Sequence, residues 1–140
     1  MFINKLINKI KILNYLKKFD HVMVQKFIPQ VTKGDKRVFI INGLVKGAIR
    51  RVPRKGSFVS NLAQGGKATK TELNYRESKI SKVVANHLKK SKIFFDGIDL
   101  VSNYLIGDIN VTSPTGLKNF KDLSGINLAE DFWNNLEKLK

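Results

Sequence analysis

Asp99, Asp108 and Asn110 carry oxygen-bearing side chains on two runs that read as neighbouring strands. Ile98, Leu100 and Val101 surround Asp99 with strand formers, Ser102-Asn103 is a turn signal, and Tyr104 to Val111 is a second strand-like run. Folded back as a hairpin, the two runs bring all three side chains together near one end. Asp108 and Asn110 are two apart, so on a strand they share a face. Such a donor set suits a hard cation such as Mg²⁺, which keeps several waters and is shared with substrate phosphates. The same residues also describe a solvated hairpin face with turn-forming Asp and Asn. Residue types and spacing leave both readings open.

The second group of candidates is cationic. Twenty-six Lys and Arg against 11 Asp and Glu give a net charge of +15. That excess is what a nucleic-acid binder uses to neutralise phosphates. The lysines, however, are spread along the whole chain, whereas Arg37, Arg50, Arg51 and Arg54 flank one expected hairpin. Arginine makes fixed, bidentate contacts to phosphate or carboxylate, so this grouping favours a small anionic ligand over a long polyanion. A solubilising strand edge is the plain alternative. The absence of cysteine excludes disulfides and thiolate chemistry, and His21 and His87 are too few for a histidine-rich metal cluster. No apolar run reaches the length of a membrane-spanning helix. The amino terminus lacks the uninterrupted apolar stretch and cleavage site of a signal peptide, so a cytoplasmic location is expected.

These residues need elements to hold them. One domain with a real core is expected for 140 residues of which 42% are hydrophobic. Residues 2–19 place Ile3, Leu6, Ile7, Ile10, Leu13 and Leu16 at helical spacing among lysines and asparagines. The expectation is a helix packed on its own sheet, with a membrane surface or a partner as the alternative. His21 to Pro29 reads as a strand. Arg37–Asn42 and Leu44–Val52 read as a hairpin joined by Asn42-Gly43, the dipeptide of a type I′ turn. Residues 54–70, rich in Gly, Ser, Lys and Thr, read as a mobile loop, or as a plain linker. Asn74 with Glu77, and Asn127 with Glu130, are capping-box patterns that open two helices. The first carries Ile80, Val83, Val84, His87 and Leu88 on one face. The second carries Ala129, Phe132, Trp133, Leu136 and Leu139, its aromatics expected in the core. Hairpins separated by helices predict an antiparallel α+β fold with flanking helices.

The wording of several segments adds a resemblance. D-I-N-V-T-S-P-T-G at Asp108–Gly116 resembles the metal-binding strand of the bacterial glutathione synthetases, ATP-grasp ligases that join γ-glutamylcysteine to glycine. G-D-K-R at Gly34–Arg37, R-V-P at Arg51–Pro53, N-L-A-x-G-G at Asn61–Gly66 and G-x-D at Gly97–Asp99 stand in the family's order. The resemblance implies the carboxyl-terminal lobe of an ATP-grasp fold over residues 21–140, with residues 1–20 as a lead helix. It implies ATP as co-substrate, with Asp99, Asp108 and Asn110 as ligands of Mg²⁺ or Mn²⁺. Arg37 and Arg51 match catalytic arginines that reach phosphate or substrate carboxylate. Gln25, Lys26, Phe27 and Ile28 match the strand that passes the adenine. Asn61, Gly65 and Gly66 match a loop that closes over the site, and Ser113, Thr115 and Gly116 lie where the glycine substrate is expected. The implied partners are ATP, γ-glutamylcysteine and glycine, with no nucleic acid and no membrane, and a homo-oligomer is compatible with the family.

The chain also departs from the family. Asp108 stands where Glu is usual, and Gly107 is inserted ahead of it. Val59 replaces a frequent arginine, and Gln64 a usual alanine. Nothing ahead of Val22 resembles the K-P-x-x-G-x-G-G phosphate loop of the first lobe, nor the amino-terminal substrate domain. The expectation is therefore an incomplete ligase, completed by a separate chain if one exists. A basic nucleic-acid-binding module or a non-catalytic interaction module is the competing reading.

Overall fold

The computed structural model describes residues 9–23, 27–57, 60–62, 65–102 and 104–138, with the side chains of 104–107 excepted. Its centre is the strand β1 (Asp35–Ile41), five of whose residues, Arg37 to Ile41, are buried in succession. Such a run belongs in the middle of a sheet covered on both faces. β1 turns at Asn42-Gly43, whose φ values of 51° and 73° are those the expected type I′ turn requires. It returns as β2 (Leu44–Val52), followed by β3 (Lys67–Lys70), β4 (Phe95–Val101) and β5 (Tyr104–Asn110). The five strands form one antiparallel sheet in the order β3-β2-β1-β4-β5. The carboxyl-terminal end of the expected 54–70 loop is thus a strand.

Alternation along β1 sorts the core into two layers. Val38 and Ile40 join Ala48, Ile98 and Leu100 beneath Ala85 of α2 (Tyr75–Lys90). Phe39 and Ile41 join Ile49 on the other face, covered by Phe120 of α3 (Leu117–Ser124) and Leu128 of α4 (Leu128–Glu137). The Phe39 and Phe120 rings meet edge-on at 5.6 Å between centroids. α2 opens on the expected capping box: the Glu77 amide donates to Asn74 Oδ1, and the Asn74 amide donates to Glu77 Oε2, both at 2.9 Å.

Other expectations fail for identifiable reasons. α3 was not anticipated, because eight residues with only Leu117, Phe120 and Leu123 facing the core give a short periodic signal. Asn127 precedes α4 without capping it; its amide instead donates to Glu130 Oε2 at 3.3 Å. Trp133 lies on the outer side of α4 and is 60% exposed, while its neighbour Phe132 packs into the core. His87 is exposed. Of the expected strand 21–29, residues 24–26 fall outside the described residues and the rest is not strand; Pro29 opens a 3-10 helix, Pro29–Lys33. Of the expected lead helix, residues 2–8, with Ile3, Leu6 and Ile7, lie outside the described residues; the rest is α1 (Lys9–Phe19), which does not pack on the sheet as expected. None of its residues is buried, and Ile10, Leu13, Leu16 and Phe19 remain exposed.

Candidate functional site

Arg37 and Phe39 point to the same face of the sheet, yet one half of that face is aromatic and the other is charged. The change follows from the cross-strand partners. Arg37 stands opposite Asp99 on β4, and Asp35 opposite Arg51 on β2, whereas Phe39 stands between Gly47 and Gly97. Arg37, Arg51, Asp35 and Asp99 are each less than a tenth exposed, so four ionised groups are held away from water and must satisfy one another.

They do so through well-formed pairs. Arg37 Nε donates to Asp99 Oδ1 at 2.6 Å and its Nη2 to Asp99 Oδ2 at 3.1 Å. Arg51 Nε and Nη2 donate to the two oxygens of Asp35, each at 2.7 Å. Arg51 Nη2 also stands 2.8 Å from Asp99 Oδ2, which joins the two pairs. Ser60 adds a hydroxyl donor to Asp35 Oδ2 at 2.5 Å. Burial works against the Arg51 charge, but the hydrogen bond to Asp35 and the fields of Asp99 and Asp35 outweigh it and hold the pKa above the ordinary arginine value.

Two glycines make room for this cluster. A Cβ on Gly97 would come within 3.0 to 3.2 Å of Arg37 Cδ, Arg37 Nη1 and Pro114 Cβ, so the guanidinium lies against bare backbone. Gly34, at φ 91°, enters β1 so close to β2 that a Cβ would fall on the Arg51 carbonyl oxygen. One group is left over. Arg37 Nη1 is buried and has no hydrogen-bond partner among the described residues. A buried guanidinium N–H without an acceptor is costly, and here it lies at the edge of the charged half-face.

The acidic hairpin borders that edge. Asp108 Oδ2 is 3.9 Å from Arg37 Nη2, and the Asp108 side chain is half exposed, at 54%. Asp99 and Asp108 therefore both face Arg37 from one side of the sheet. The β4–β5 ladder slips between Ile98 and Leu100: Ile98 pairs with Ile109 but Leu100 with Leu105, leaving Asp99 opposite residues 106–108. The backbone is bulged around Gly107. Asn110 lies opposite Gly97 on the same face. Its side-chain oxygen accepts from the Thr112 amide at 3.1 Å, the Thr112 hydroxyl at 3.3 Å and the Ser113 amide at 2.9 Å. The carboxamide is thus turned toward the loop after β5 rather than toward Asp99. Among the described residues no three Asp, Glu, His or Cys side chains lie close enough to hold a metal by themselves.

The other expected site residues spread around this core. Gly65 and Gly66 lie just before β3: Arg54 Nε donates to the Gly65 carbonyl at 3.2 Å, and the Gly66 amide to the Asn61 carbonyl at 3.1 Å. Asn61, Ser113 and Thr115 are exposed. Gly116 packs beneath Ile49 and Phe39 at the start of α3, which accounts for it structurally. Phe27 is exposed and Ile28 half-buried, while Gln25 and Lys26 lie outside the described residues. Sequence reasoning passed over Asp35 and Ser60. Asp35 was within reach of it, since a residue two before Arg37 on a strand must share its face. Nothing local marks Ser60.

Comparison with known proteins fits this geometry into a family. The profile of the "Prokaryotic glutathione synthetase, ATP-grasp domain" family matches residues 4–125. A protein named glutathione synthetase from Prochlorococcus marinus subsp. pastoris is 50% identical over 109 residues, 78% of this chain and 35% of that protein. One from Bradyrhizobium diazoefficiens is 40% identical over 116 residues, 83% of this chain and 37% of the relative. One from Nostoc sp. is 39% identical over 117 residues, 84% and 36% respectively. The chain spans about a third of the length of the curated relatives it matches.

Proposed function

Since this chain belongs to the ATP-grasp domain family of the prokaryotic glutathione synthetases, we propose that it supplies the carboxyl-terminal, ATP- and Mg²⁺-binding part of such a ligase. The reaction joins γ-glutamylcysteine to glycine through an acyl phosphate and releases ADP and phosphate. The observation that carries this reading is Arg37 Nη1, a buried donor without an acceptor among the described residues, beside two carboxylates on one sheet face. It calls for an anion, and a phosphate oxygen is the acceptor this family would bring.

The charge balance supports a cation alongside that anion. Asp35, Asp99 and Asp108 outnumber Arg37 and Arg51, so the cluster alone repels a polyphosphate. A Mg²⁺ or Mn²⁺ ion, when bound, neutralises that excess and draws phosphate oxygens in. Asp108, half exposed, and Asp99, at the buried edge, fit as its oxygen donors. Asn110 fits only once its oxygen releases the 112–113 backbone. Arg37 holds and orients a phosphate; Arg51, braced by Asp35 and Asp99, steadies the transferred phosphoryl group. The loop of Asn61, Gly65 and Gly66 keeps water from the acyl phosphate, and Ser113 and Thr115 receive glycine. Positioning and charge compensation are most of what phosphoryl transfer asks of a protein.

The remainder of the synthetase fold meets this chain, in our reading, along the exposed apolar side of α1, whether in the same polypeptide or a separate one. The reaction is assigned to the cytoplasm, where ATP is made available; no helix among the described residues is long and apolar enough to cross a membrane. The test is product formation from γ-glutamylcysteine, glycine and Mg·ATP. The 140-residue chain alone is expected to bind Mg·ATP weakly and to form no peptide bond. Adding the amino-terminal two thirds of a related synthetase is expected to restore ligation, and Asp99→Asn or Arg51→Ala to abolish it. Restored activity that survives both substitutions refutes the assigned roles.

A further inference from the structure

Resting on the ATP-site reading above, we infer that Ser60 is a positioning residue: through Asp35 it fixes the plane of the Arg51 guanidinium. Ser60 is 5% exposed although its neighbour Asn61 faces solvent. Its hydroxyl donates to Asp35 Oδ2 at 2.5 Å, the short, charge-assisted kind of bond. Asp35 Oδ2 also receives Arg51 Nη2, and Arg51 Nη2 reaches on to Asp99 Oδ2. A continuous line therefore runs from Ser60 through hydrogen bonds to Asp35 and Arg51, across the Arg51–Asp99 ion pair, and from Asp99 to Arg37.

Removing the hydroxyl has a specific consequence. Asp35 belongs to the first residue of β1, next to Gly34, and its carboxylate can rotate once Ser60 no longer anchors it. Arg51 follows, because its Nε and Nη2 are bonded to that carboxylate. Nη2 then no longer spans two carboxylates. The stretch after Ser60 keeps its own anchors, Leu62 in the Phe39–Ile49 layer and the Gly66 amide on the Asn61 carbonyl, so the effect is confined to Asp35 and Arg51.

The experiment uses the full chain labelled with ¹⁵N at arginine, and Mg·ATP as the probe. In the parent protein the Arg51 Nε–H signal is expected to exchange slowly and its Nη groups to give separate resonances, the mark of a guanidinium that does not rotate. Ser60→Ala is expected to merge the Nη resonances, speed Nε–H exchange and weaken Mg·ATP binding about tenfold, the loss of one hydrogen bond to a charged group. Ser60→Thr keeps the hydroxyl and is expected to restore both properties. Arg51 resonances unchanged in Ser60→Ala overturn the proposal, as does a Thr variant that behaves like Ala. Should the parent protein bind no Mg·ATP while Arg51 still responds to Ser60→Ala, the positioning role stands and the ligand reading falls.

Discussion

Asp96 offers the sharpest test of the physical reasoning, because it sits where a carboxylate should not. Its side chain is on the opposite face of β4 from Asp99, opposite Ile40 and fully buried, and neither oxygen has a hydrogen-bond partner among the described residues. Burial without a partner disfavours the charged form and pushes the carboxyl from 3.8 up to about 7. The folded state therefore keeps this proton over a range in which the unfolded chain has lost it. Stability falls as pH rises from about 4 to about 7 and then levels off, with a full loss of about 4 kcal/mol at 1.36 kcal/mol per unit. Part of that is already lost at pH 5, so about 2–3 kcal/mol remains to be lost between pH 5 and pH 8. Asp96→Val removes the ionisable group and supplies a β-branched strand residue of similar size. Urea denaturation of both proteins at pH 5 and pH 8 reads the effect. The advantage of the Val variant is expected to grow by about 2–3 kcal/mol between the two pH values. An advantage equal at both pH values refutes the reasoning, for it means that Asp96 ionises freely in the folded state.

Three further substitutions probe the site and its frame. Gly97→Ala sets a methyl group against Arg37 and Pro114; an overpacking loss of about 1–3 kcal/mol in thermal or urea unfolding is expected, with weaker Mg·ATP binding by calorimetry. Asp108→Asn, at an exposed position, is expected to leave stability within about 0.5 kcal/mol while reducing Mg²⁺-dependent ATP binding; equal binding in both proteins removes Asp108 from the site. Asn74→Ala breaks the capping box of α2 and is expected to cost about 1 kcal/mol in urea denaturation, without affecting the charged cluster on the other face.

What the sequence disclosed depended on how local the cause was. Asn42-Gly43 specifies its turn by backbone conformation alone, and Asn74 with Glu77 closes its capping box within four residues; both are readable without a partner. The acidic hairpin was likewise legible as alternating strand residues around a turn. The bulge was not legible: Asp99 alone faces three residues of β5, 106–108, and only the paired ladder reveals that. The Arg51–Asp35 pair was hidden, because it depends on β1–β2 register rather than on proximity in the chain. Ser60 was hidden more deeply: a serine in a polar loop looks the same whether it faces water or a carboxylate. The lead helix misled in the opposite direction. Its apolar spacing correctly announces a helix, yet spacing cannot name the surface that covers it, and the sheet of this chain does not.

The bulge opposite Asp99 divides the two acids between unlike supports. Asp99 is anchored by a β1–β4 register that runs without interruption from Lys36 to Ile41. Asp108 hangs from the stretch of β5 that carries more residues than its partner strand. Chain length at 106–107 is therefore an adjustable spacer: adding or removing a residue there shifts the outer carboxylate along the rim while the inner one stays clamped between its arginines. The separation of the two carboxylates in this fold is thus tunable by loop-like variation inside a strand.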